Sequence, residues 1–298
     1  MSREFVSEIP SNDTRSPTVA EAKVIAANVD FYRLVAAKYD RSERYLFTPR
    51  LQRSLEQDLA KIESSFGSVG RKPSCLECGG GTGNLTLKMC ARGWKVTVVD
   101  VSEEMLTSLR AKALATGFSP TLIAAPIERF LAEVDETYDL VAFSGVLHHL
   151  YSYTSVVQQV FLHVCPGGFF YCNLDPAVPK RRLWARFFDS FDIALGKLSH
   201  DPLDVLPGVW RRTQKLFLSR DVIFNRPVVG PGDIAEYHAK SGVDDLQIIN
   251  QLRKAGFRIL DHFRYPSGRT PISRWVNNRI RALELFKIIA QREPAKTQ

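Results

Sequence analysis

The feature that most constrains the fold is an alternation, from Pro73 onwards, of short apolar runs and longer segments with helical spacing. The run at residues 95–100 (KVTVVD) is continuous and β-branched, as expected of a strand that is buried on both faces. Strands that alternate with helices predict parallel strand pairing with helices on both faces of the sheet. The sequence therefore predicts an α/β fold with a doubly wound, mostly parallel sheet.

Seven segments are predicted to be strands of this sheet. They lie at residues 75–78, 95–100, 121–125, 138–143, 169–174, 257–263 and 285–291. Helices are predicted from residue 84 to about 92, from the N-cap Ser102 to Gly117, and over residues 153–164, 243–255 and 272–281.

Two regions do not follow the alternation, and they divide the chain into segments. We expect a disordered lead-in (1–18), a helical cap (19–70), a core (71–175), an inserted lid rich in proline and aromatic residues (176–240), and a closing segment that completes the sheet (241–298). Because both irregular regions flank the core, each is a candidate to cover the ligand-binding edge of the sheet.

The composition is that of an ordinary soluble protein, with 45% hydrophobic and 24% charged residues. No apolar run is long enough for a membrane-spanning helix, and no apolar secretory leader is visible, so we expect a cytoplasmic protein. Cys75 and Cys78 form an isolated C-x-x-C without a second pair of metal ligands nearby, so we interpret them as packing residues and expect no metal site.

A glycine-rich turn (77–83, ECGGGTG) follows the first predicted strand. Glycines at such a turn let the backbone bend sharply and approach a ligand closely. The dinucleotide pattern G-x-G-x-x-G would need a further glycine at Asn84 or Thr86, and the phosphate-binding P-loop pattern is absent. Ligands of doubly wound sheets bind beyond the carboxyl ends of the strands, which should bring together residues 79–83, Asp100, Ser144 and Asp175.

The pattern acidic-x-G-x-G-x-G resembles the class I S-adenosyl-L-methionine-dependent methyltransferases of the small-molecule type. Residues 143–150 (FSGVLHHL) resemble their S-x-x-V-L-H-H stretch, and residues 164–169 (VCPGGF) resemble the turn before their fifth strand. The resemblance covers about residues 73–175 and the closing strands. It implies a Rossmann-like methyltransferase fold, an enzyme, and S-adenosyl-L-methionine (SAM) as the cofactor.

The resemblance also assigns the cofactor's methionine and ribose parts. Glu77 would fix the loop and the amino group, and the loop itself, with Gly79, Gly81 and Gly83, would pass under the methionine. Asp100, with the adjacent Val101, would bind the ribose, because a carboxylate accepts two hydrogen bonds and a vicinal diol offers two.

At the adenine end the sequence departs from the family pattern. Many relatives have an aspartate just after the third strand, where this chain reads Ala124-Ala125-Pro126-Ile127-Glu128, so Glu128 is the nearest carboxylate. The backbone at Ser144 should face the methyl group. Tyr39, before the first strand, would form part of the wall over the cofactor, or else pack on the core.

Methyl transfer from a sulfonium is an in-line displacement, so the protein mainly holds nucleophile and methyl group in position. A hydroxyl acceptor also needs a general base, and an imidazole suits that role. His148 and His149 are candidates, with His238 as a third. The alternative for each is an imidazole that packs and bonds to the backbone.

The net charge of +8 is unevenly distributed, because residues 176–298 hold 22 Lys and Arg against 12 Asp and Glu, whereas residues 1–175 hold 18 against 20. Within the lid, residues 180–188 mix arginines with large aromatic side chains. Three interpretations stay open for this stretch: a helix at a membrane surface, a lid whose arginines bind an anionic group of the acceptor, or a helix packed on the core.

The leading functional hypothesis is transfer of a methyl group from SAM to the oxygen or nitrogen of a small-molecule acceptor, which could be hydrophobic or lipid-like. The first alternative is RNA or protein methylation. A nucleic-acid partner is not expected, since the Asn/Asp-Pro-Pro-Tyr/Phe tetrapeptide of amino-methylating enzymes is missing after the fourth strand. The second alternative is a SAM-binding module without catalysis.

Overall fold

The structure is a computed structural model that describes residues 17–66, 71–179, 234–239, 241–268 and 270–294. Its strands are β1 (Ser74–Cys78), β2 (Lys95–Asp100), β3 (Thr121–Ala124), β4 (Tyr138–Ser144), β5 (Val164–Pro176), β6 (Phe257–Pro266) and β7 (Glu284–Arg292). Its helices are α1 (Val19–Val35), α2 (Tyr39–Ser42), α3 (Pro49–Ser65), α4 (Thr86–Ala91), α5 (Glu103–Ala115), α6 (Ile127–Glu133), α7 (Tyr153–Val160), α8 (Asp245–Lys254) and α9 (Pro271–Ile280).

The strands form one seven-stranded sheet in the order β3-β2-β1-β4-β5-β7-β6. β1 to β5 are mutually parallel, and β7 runs antiparallel between β5 and β6. The chain moves outwards from β1 to β3 and then returns to β4 on the other side of β1. This reversal opens a crevice between the carboxyl ends of β1 and β4, where ligands of such sheets bind. The predicted fold class is confirmed.

Both faces of the sheet are buried, and successive residues of one strand belong to different apolar clusters. On β4, Leu140 packs into one cluster while its neighbour Val141 packs into the other. The same division separates Val98 from Val99 on β2. This follows from the two-residue repeat of a strand and explains why the strand sequences are continuous apolar runs rather than alternating ones.

The N-terminal helices close one side of the crevice. α1 begins at a capping box, in which the Thr18 and Glu21 side chains and backbone N–H groups bond each other. α3 packs on the sheet through Leu55, Leu59 and Ile62, which are almost completely buried. The helical character predicted for this region is confirmed over the described residues.

Several predicted boundaries need correction. The helix expected from residue 84 begins at Thr86, because the glycine turn uses the preceding residues. The helix expected over 153–164 ends at Val160, and β5 then begins at Val164 rather than at Phe169. The prediction contained no helix over Ile127–Glu133, where α6 lies between β3 and β4.

Some expectations lie mostly or wholly outside the described residues. These are the lead-in, most of the lid and its basic-aromatic stretch at residues 180–188. The segment boundaries proposed from the sequence stay predictions. Within the described ranges, no helix combines the length and apolarity needed to cross a membrane.

Candidate active site

The glycine turn after β1 has a backbone that only glycine adopts readily. Gly79 and Gly83 have φ values of 73° and 91°. A Cβ atom on Gly79 would lie 2.5 Å from Cγ2 of Val146, and one on Gly83 would lie 2.2 Å from Cδ1 of Leu109. Both positions therefore need glycine for conformation and for space, and the turn packs directly against its neighbours.

Two buried carboxylates lie at the base of this turn. Glu77 accepts a short hydrogen bond from the hydroxyl of Thr86, and burial raises the pKa of Glu77 to about 8. Asp100 accepts hydrogen bonds from the backbone N–H of Gly81 at 2.7 Å and of Ser102 at 2.9 Å. Asp100 thus connects the glycine turn to the start of α5 through hydrogen bonds. The sequence analysis did not predict this connection.

A cavity of about 270 Å³ opens above the carboxyl ends of these strands. Most of the residues predicted from the sequence border it. They are Tyr39, Glu77, Gly79, Gly81, Asp100, Val101, Glu128, Ser144, His148 and His149. Gly83 and His238 are not part of its described lining. Gly83 does not border the cavity, but its close packing against Leu109 of α5 fixes the position of the glycine turn that does.

The adenine end of the predicted site is formed by the first turn of α6. Pro126, Ile127 and Glu128 border the cavity together. Burial raises the pKa of Glu128. Because α6 was not predicted, the sequence analysis had no reason to expect that its N-terminus would direct Glu128 to this place.

Aromatic side chains of the N-terminal helices form the opposite wall. Tyr32 and Tyr39 lie with ring centroids 6.1 Å apart, and Phe31 and Phe47 border the same cavity. Burial raises the pKa of both tyrosines well above the usual range. The sequence analysis predicted Tyr39 but missed Tyr32. The adjacent aromatic pair Phe31-Tyr32 near the end of α1 could have indicated an aromatic wall.

The three candidate histidines have different partners. Nδ1 of His148 lies 2.7 Å from Oδ1 of Asp175, and the backbone N–H of His148 donates to the same oxygen at 3.1 Å. Burial lowers the pKa of His148, but the hydrogen bond and charge of Asp175 outweigh burial and raise it overall. Asp175 was expected on the rim of the cavity; instead it is fully buried and is not among the residues that border the cavity.

His149 and His238 are bonded on both ring nitrogens. His149 contacts the carbonyl of Ala235 at 2.8 Å through Nδ1 and the hydroxyl of Tyr32 at 2.9 Å through Nε2. Burial and the adjacent His148 lower the pKa of His149 to about 4. The His238 ring contacts Ser241 and the carbonyl of Tyr151, each at 3.3 Å. Burial lowers the pKa of His238, which is not among the described residues that border the cavity.

Glu236 is a further residue that the sequence analysis missed. It borders the cavity, and its Oε2 lies 3.7 Å from Nε2 of His148. Ligand atoms of His148, His149 and Glu236 all lie within 4.8 Å of one another, close enough to share a cation. Both ring nitrogens of His149 already have partners, so a cation there would have to displace either the carbonyl of Ala235 or the hydroxyl of Tyr32.

Cys75 and Cys78 are free thiols, buried in β1 on opposite faces of the sheet. Burial raises the pKa of each thiol above its usual range. Their environment is that of packing residues, as expected from the sequence.

An open, doubly wound sheet with a glycine turn after β1 and an acidic residue at the end of β2 is the arrangement expected of a Rossmann-like nucleotide-binding domain. Residues 75–168 match the family model of the methyltransferase domain. Residues 75–168 therefore carry a methyltransferase domain, as the resemblance in the sequence predicted.

Individual proteins are similar to parts or all of the chain. Over 107 residues it is 36% identical to a ubiquinone biosynthesis O-methyltransferase of Vibrio parahaemolyticus, a match covering 36% of this chain and 45% of that protein. The chain therefore spans less than half the length of this curated relative.

Solved structures share the fold. The magnesium protoporphyrin IX methyltransferase of Synechocystis PCC 6803, solved with bound S-adenosylhomocysteine, is 15% identical; the match covers 91% of this chain and 100% of that one, with a TM-score of 0.52. The cyclase SpnF is 13% identical to this chain. The match covers 97% of this chain and 100% of SpnF, with a TM-score of 0.55. Because a cyclase has this fold too, the fold alone does not define the reaction.

Proposed function

We propose that the chain binds SAM in this cavity and transfers its methyl group to a small-molecule acceptor. The observation that supports this most directly is the continuity of the cavity. The glycine turn with its carboxylates borders one part, and the His148–His149 pair borders another. A donor and an acceptor can therefore lie side by side in the same cavity.

The residues of the cavity fit the chemical groups of SAM. Glu77 provides a carboxyl for the amino group, and Asp100 retains lone pairs for the ribose hydroxyls beyond those bonded to Gly81 and Ser102. Glu128 is the polar side chain for the adenine, and Tyr39 forms a wall. When bound, SAM supplies a methyl group already activated by the sulfonium.

The chain itself contributes to the reaction by positioning the acceptor atom and the methyl group. Ser144 ends β4, and the backbone N–H of Gly145 donates to the carbonyl of Asn173 at 2.8 Å, which fixes the next turn against β5. This turn lies between the glycine loop and the histidines. Holding the two reacting atoms in line in a rigid crevice lowers the entropy cost of the displacement.

The lining favours a flat, apolar acceptor. Phe31, Tyr32 and Phe47 present aromatic surface to the cavity, and aromatic side chains bury large flat areas well. The curated relative is named for an O-methylation in ubiquinone biosynthesis, and we infer an acceptor of comparable hydroxylated, apolar character here.

Binding of the donor is tested by titration calorimetry with S-adenosylhomocysteine. We expect the wild-type chain to bind and Asp100→Ala to bind about 10- to 100-fold more weakly, since hydrogen bonds to a charged group are lost. Glu133→Ala, an exposed carboxylate at the end of α6, is the matched control and should bind as the wild type does. Circular dichroism confirms that each variant is folded. No binding by folded wild-type protein would refute the proposal.

Transfer is tested with methyl-labelled SAM and separate small-molecule, lipid, RNA and protein fractions of a cell extract. Label in the small-molecule or lipid fraction supports the proposed acceptor class. Label confined to RNA or protein would transfer the assignment to the first alternative. Binding without any transfer would support the non-catalytic alternative.

A further inference from the structure

His148 lies between two carboxylates in very different surroundings. Asp175 contacts Nδ1 from the protein interior at 2.7 Å, whereas Glu236 lies 3.7 Å from Nε2 on the cavity side. We propose that His148 is the general base for a hydroxyl acceptor, that Asp175 positions it, and that Glu236 carries the proton to solvent. The inference rests on the proposed methyl transfer and narrows it to O-methylation.

The contacts of Asp175 determine which nitrogen of His148 carries the proton. An ionised carboxylate only accepts hydrogen bonds, so the Nδ1 atom 2.7 Å away must donate. The same oxygen also accepts the backbone N–H of His148, and the thiol of Cys172 lies 3.6 Å from the other oxygen. With the proton held on Nδ1, Nε2 presents its lone pair to the cavity, as a base requires.

The other two histidines lack a free lone pair in the cavity. The carbonyl of Ala235 can only accept, so Nδ1 of His149 donates to it, and Nε2 accepts from the hydroxyl of Tyr32. His149 is thus saturated and orients Tyr32 in the wall. His238 lies outside the described lining of the cavity. Of the three candidates from the sequence, His148 has the geometry of a base.

Glu236 is placed to remove the proton. Its side chain is 44% exposed, in contrast to the fully buried Asp175. The separation of 3.7 Å from Nε2 is too long for a direct hydrogen bond, which leaves room for the acceptor hydroxyl to reach Nε2 first. After transfer, Glu236 is the carboxylate near the new imidazolium that also reaches solvent.

The step balances without another reactant. The acceptor O–H proton passes to Nε2 of His148 while a lone pair of that oxygen forms the bond to the methyl carbon. The carbon–sulfur bond breaks and its electron pair stays on sulfur, which becomes a neutral thioether. The proton then leaves the imidazolium through Glu236. A neutral amine already carries a lone pair for the attack, so a base held in this way is of most use to a hydroxyl.

The chain contains a matched control for this dyad. Nε2 of His262 lies 2.7 Å from Oδ2 of Asp245, which is also fully buried, and the pair lies away from the described cavity lining. The effect of losing the imidazole on the transfer rate can therefore be compared between His148, which borders the cavity, and His262, which does not.

The first measurement is the single-turnover rate with the extract fraction that wild-type protein labels. We expect His148→Gln to slow transfer by about 10²- to 10⁴-fold, the usual contribution of a general base, while S-adenosylhomocysteine affinity stays within about twofold. His262→Gln should retain the wild-type rate if it is folded. A His148→Gln rate within about threefold of the wild type would overturn the dyad but leave the proposed methyl transfer standing. Absence of both binding and transfer in the wild type would overturn the proposed function itself.

The second measurement separates positioning from structural support. The titratable groups that face His148 are Asp175, Glu236, His149 and His238. The transfer rate should rise with pH as His148 loses its proton. Because Asp175 raises the pKa of His148, Asp175→Asn should move that inflection to lower pH as well as slowing transfer. A slowed Asp175→Asn variant with an unchanged inflection would make Asp175 merely structural.

A third measurement does not depend on the acceptor. In ¹⁵N-histidine-labelled protein, the His148 signals, assigned through His148→Gln, should show a neutral ring protonated on Nδ1. Protonation on Nε2 instead would contradict the proposal. Loss of transfer after chelator treatment, with recovery on adding Zn²⁺, would contradict it too, because the imidazoles would then serve a cation.

Discussion

The side chain of Asp40 joins the N-terminal helices to the glycine turn, accepting a 2.6 Å hydrogen bond from the hydroxyl of Thr82. Its second oxygen accepts a short hydrogen bond from Lys112 on α5, which also donates to the carbonyl of Thr82 at 3.0 Å. This cluster of three side chains is a direct polar connection between the wall that contains Tyr39 and the proposed cofactor loop. Release of a bound nucleoside should therefore depend on it.

Asp40→Asn should weaken this connection. The pair is partly exposed, so the expected loss is about 1 kcal/mol, or roughly fivefold in the Kd of S-adenosylhomocysteine. The change should appear mainly as faster dissociation, measured by stopped-flow displacement. Asp30→Asn, which removes an exposed carboxylate paired with Arg33 on α1, is the control. If S-adenosylhomocysteine dissociates from the two variants at the same rate, the contacts of Asp40 with Thr82 and Lys112 do not retain the ligand.

Gly79→Ala should destabilise the fold and the turn. The new Cβ would lie 2.5 Å from Val146, and the φ of 73° is unfavourable for alanine, so we expect a loss of about 2–4 kcal/mol in the free energy of unfolding. Gly117→Ala is the matched control, because it has the same φ but no atom within 4 Å of the new Cβ. It should cost only about 1–2 kcal/mol. Urea unfolding measures both, and similar losses would show that close packing of the turn is unimportant.

Glu77 should make stability depend on pH. Its folded-state pKa, raised by burial to about 8, lies above that of an unfolded carboxyl, so the folded state binds more protons between about pH 4.5 and 8. The free energy of unfolding contributed by this group therefore falls as pH rises through that window. Glu77→Gln, which keeps an acceptor for Thr86, should gain stability relative to the wild type as pH rises. Urea unfolding at pH 5 and pH 8 tests this, with exposed Glu133→Gln as the control; a pH-independent difference would contradict it.

The ion pair between Asp58 on α3 and Lys287 on β7 should be costly to break on one side. Both side chains are buried, and Nζ lies 2.5 Å from Oδ1, while the hydroxyl of Tyr171 donates to Oδ2 at 2.9 Å. Asp58→Ala would leave the buried Lys287 with only the partly exposed Asp261, whose Oδ2 lies 3.4 Å from Nζ, so we expect a loss of about 3 kcal/mol in the free energy of unfolding. Asp58→Leu combined with Lys287→Met should lose much less. A double variant as unstable as the single one would contradict this, because the stability would then come from the pair itself and the single variant's loss would not come from a buried charge without its partner.

The sequence alone predicted the sheet, and it predicted that most of the residues proposed for the donor would border one cavity. The β-branched run of β2 was located to its exact ends, because strands buried on both faces leave a continuous apolar signature. Glu77, the glycines and Asp100 lie near one another along the chain, at strand ends where local pattern specifies position. α6 was missed because it is short, and the start of β5 was placed late because the glycines at 167 and 168 indicated a turn.

Only the tertiary structure distinguishes the histidines by their partners, and the proposed base rests on that difference. His148 and His149 are adjacent in sequence and chemically identical, yet one bonds to Asp175 on β5 and the other to Tyr32 on α1 and the carbonyl of Ala235. These partners are far away along the chain, so no local pattern records them. The tautomer and pKa of an imidazole depend on its burial and on the atoms that touch its two nitrogens, and those are set only when the chain folds.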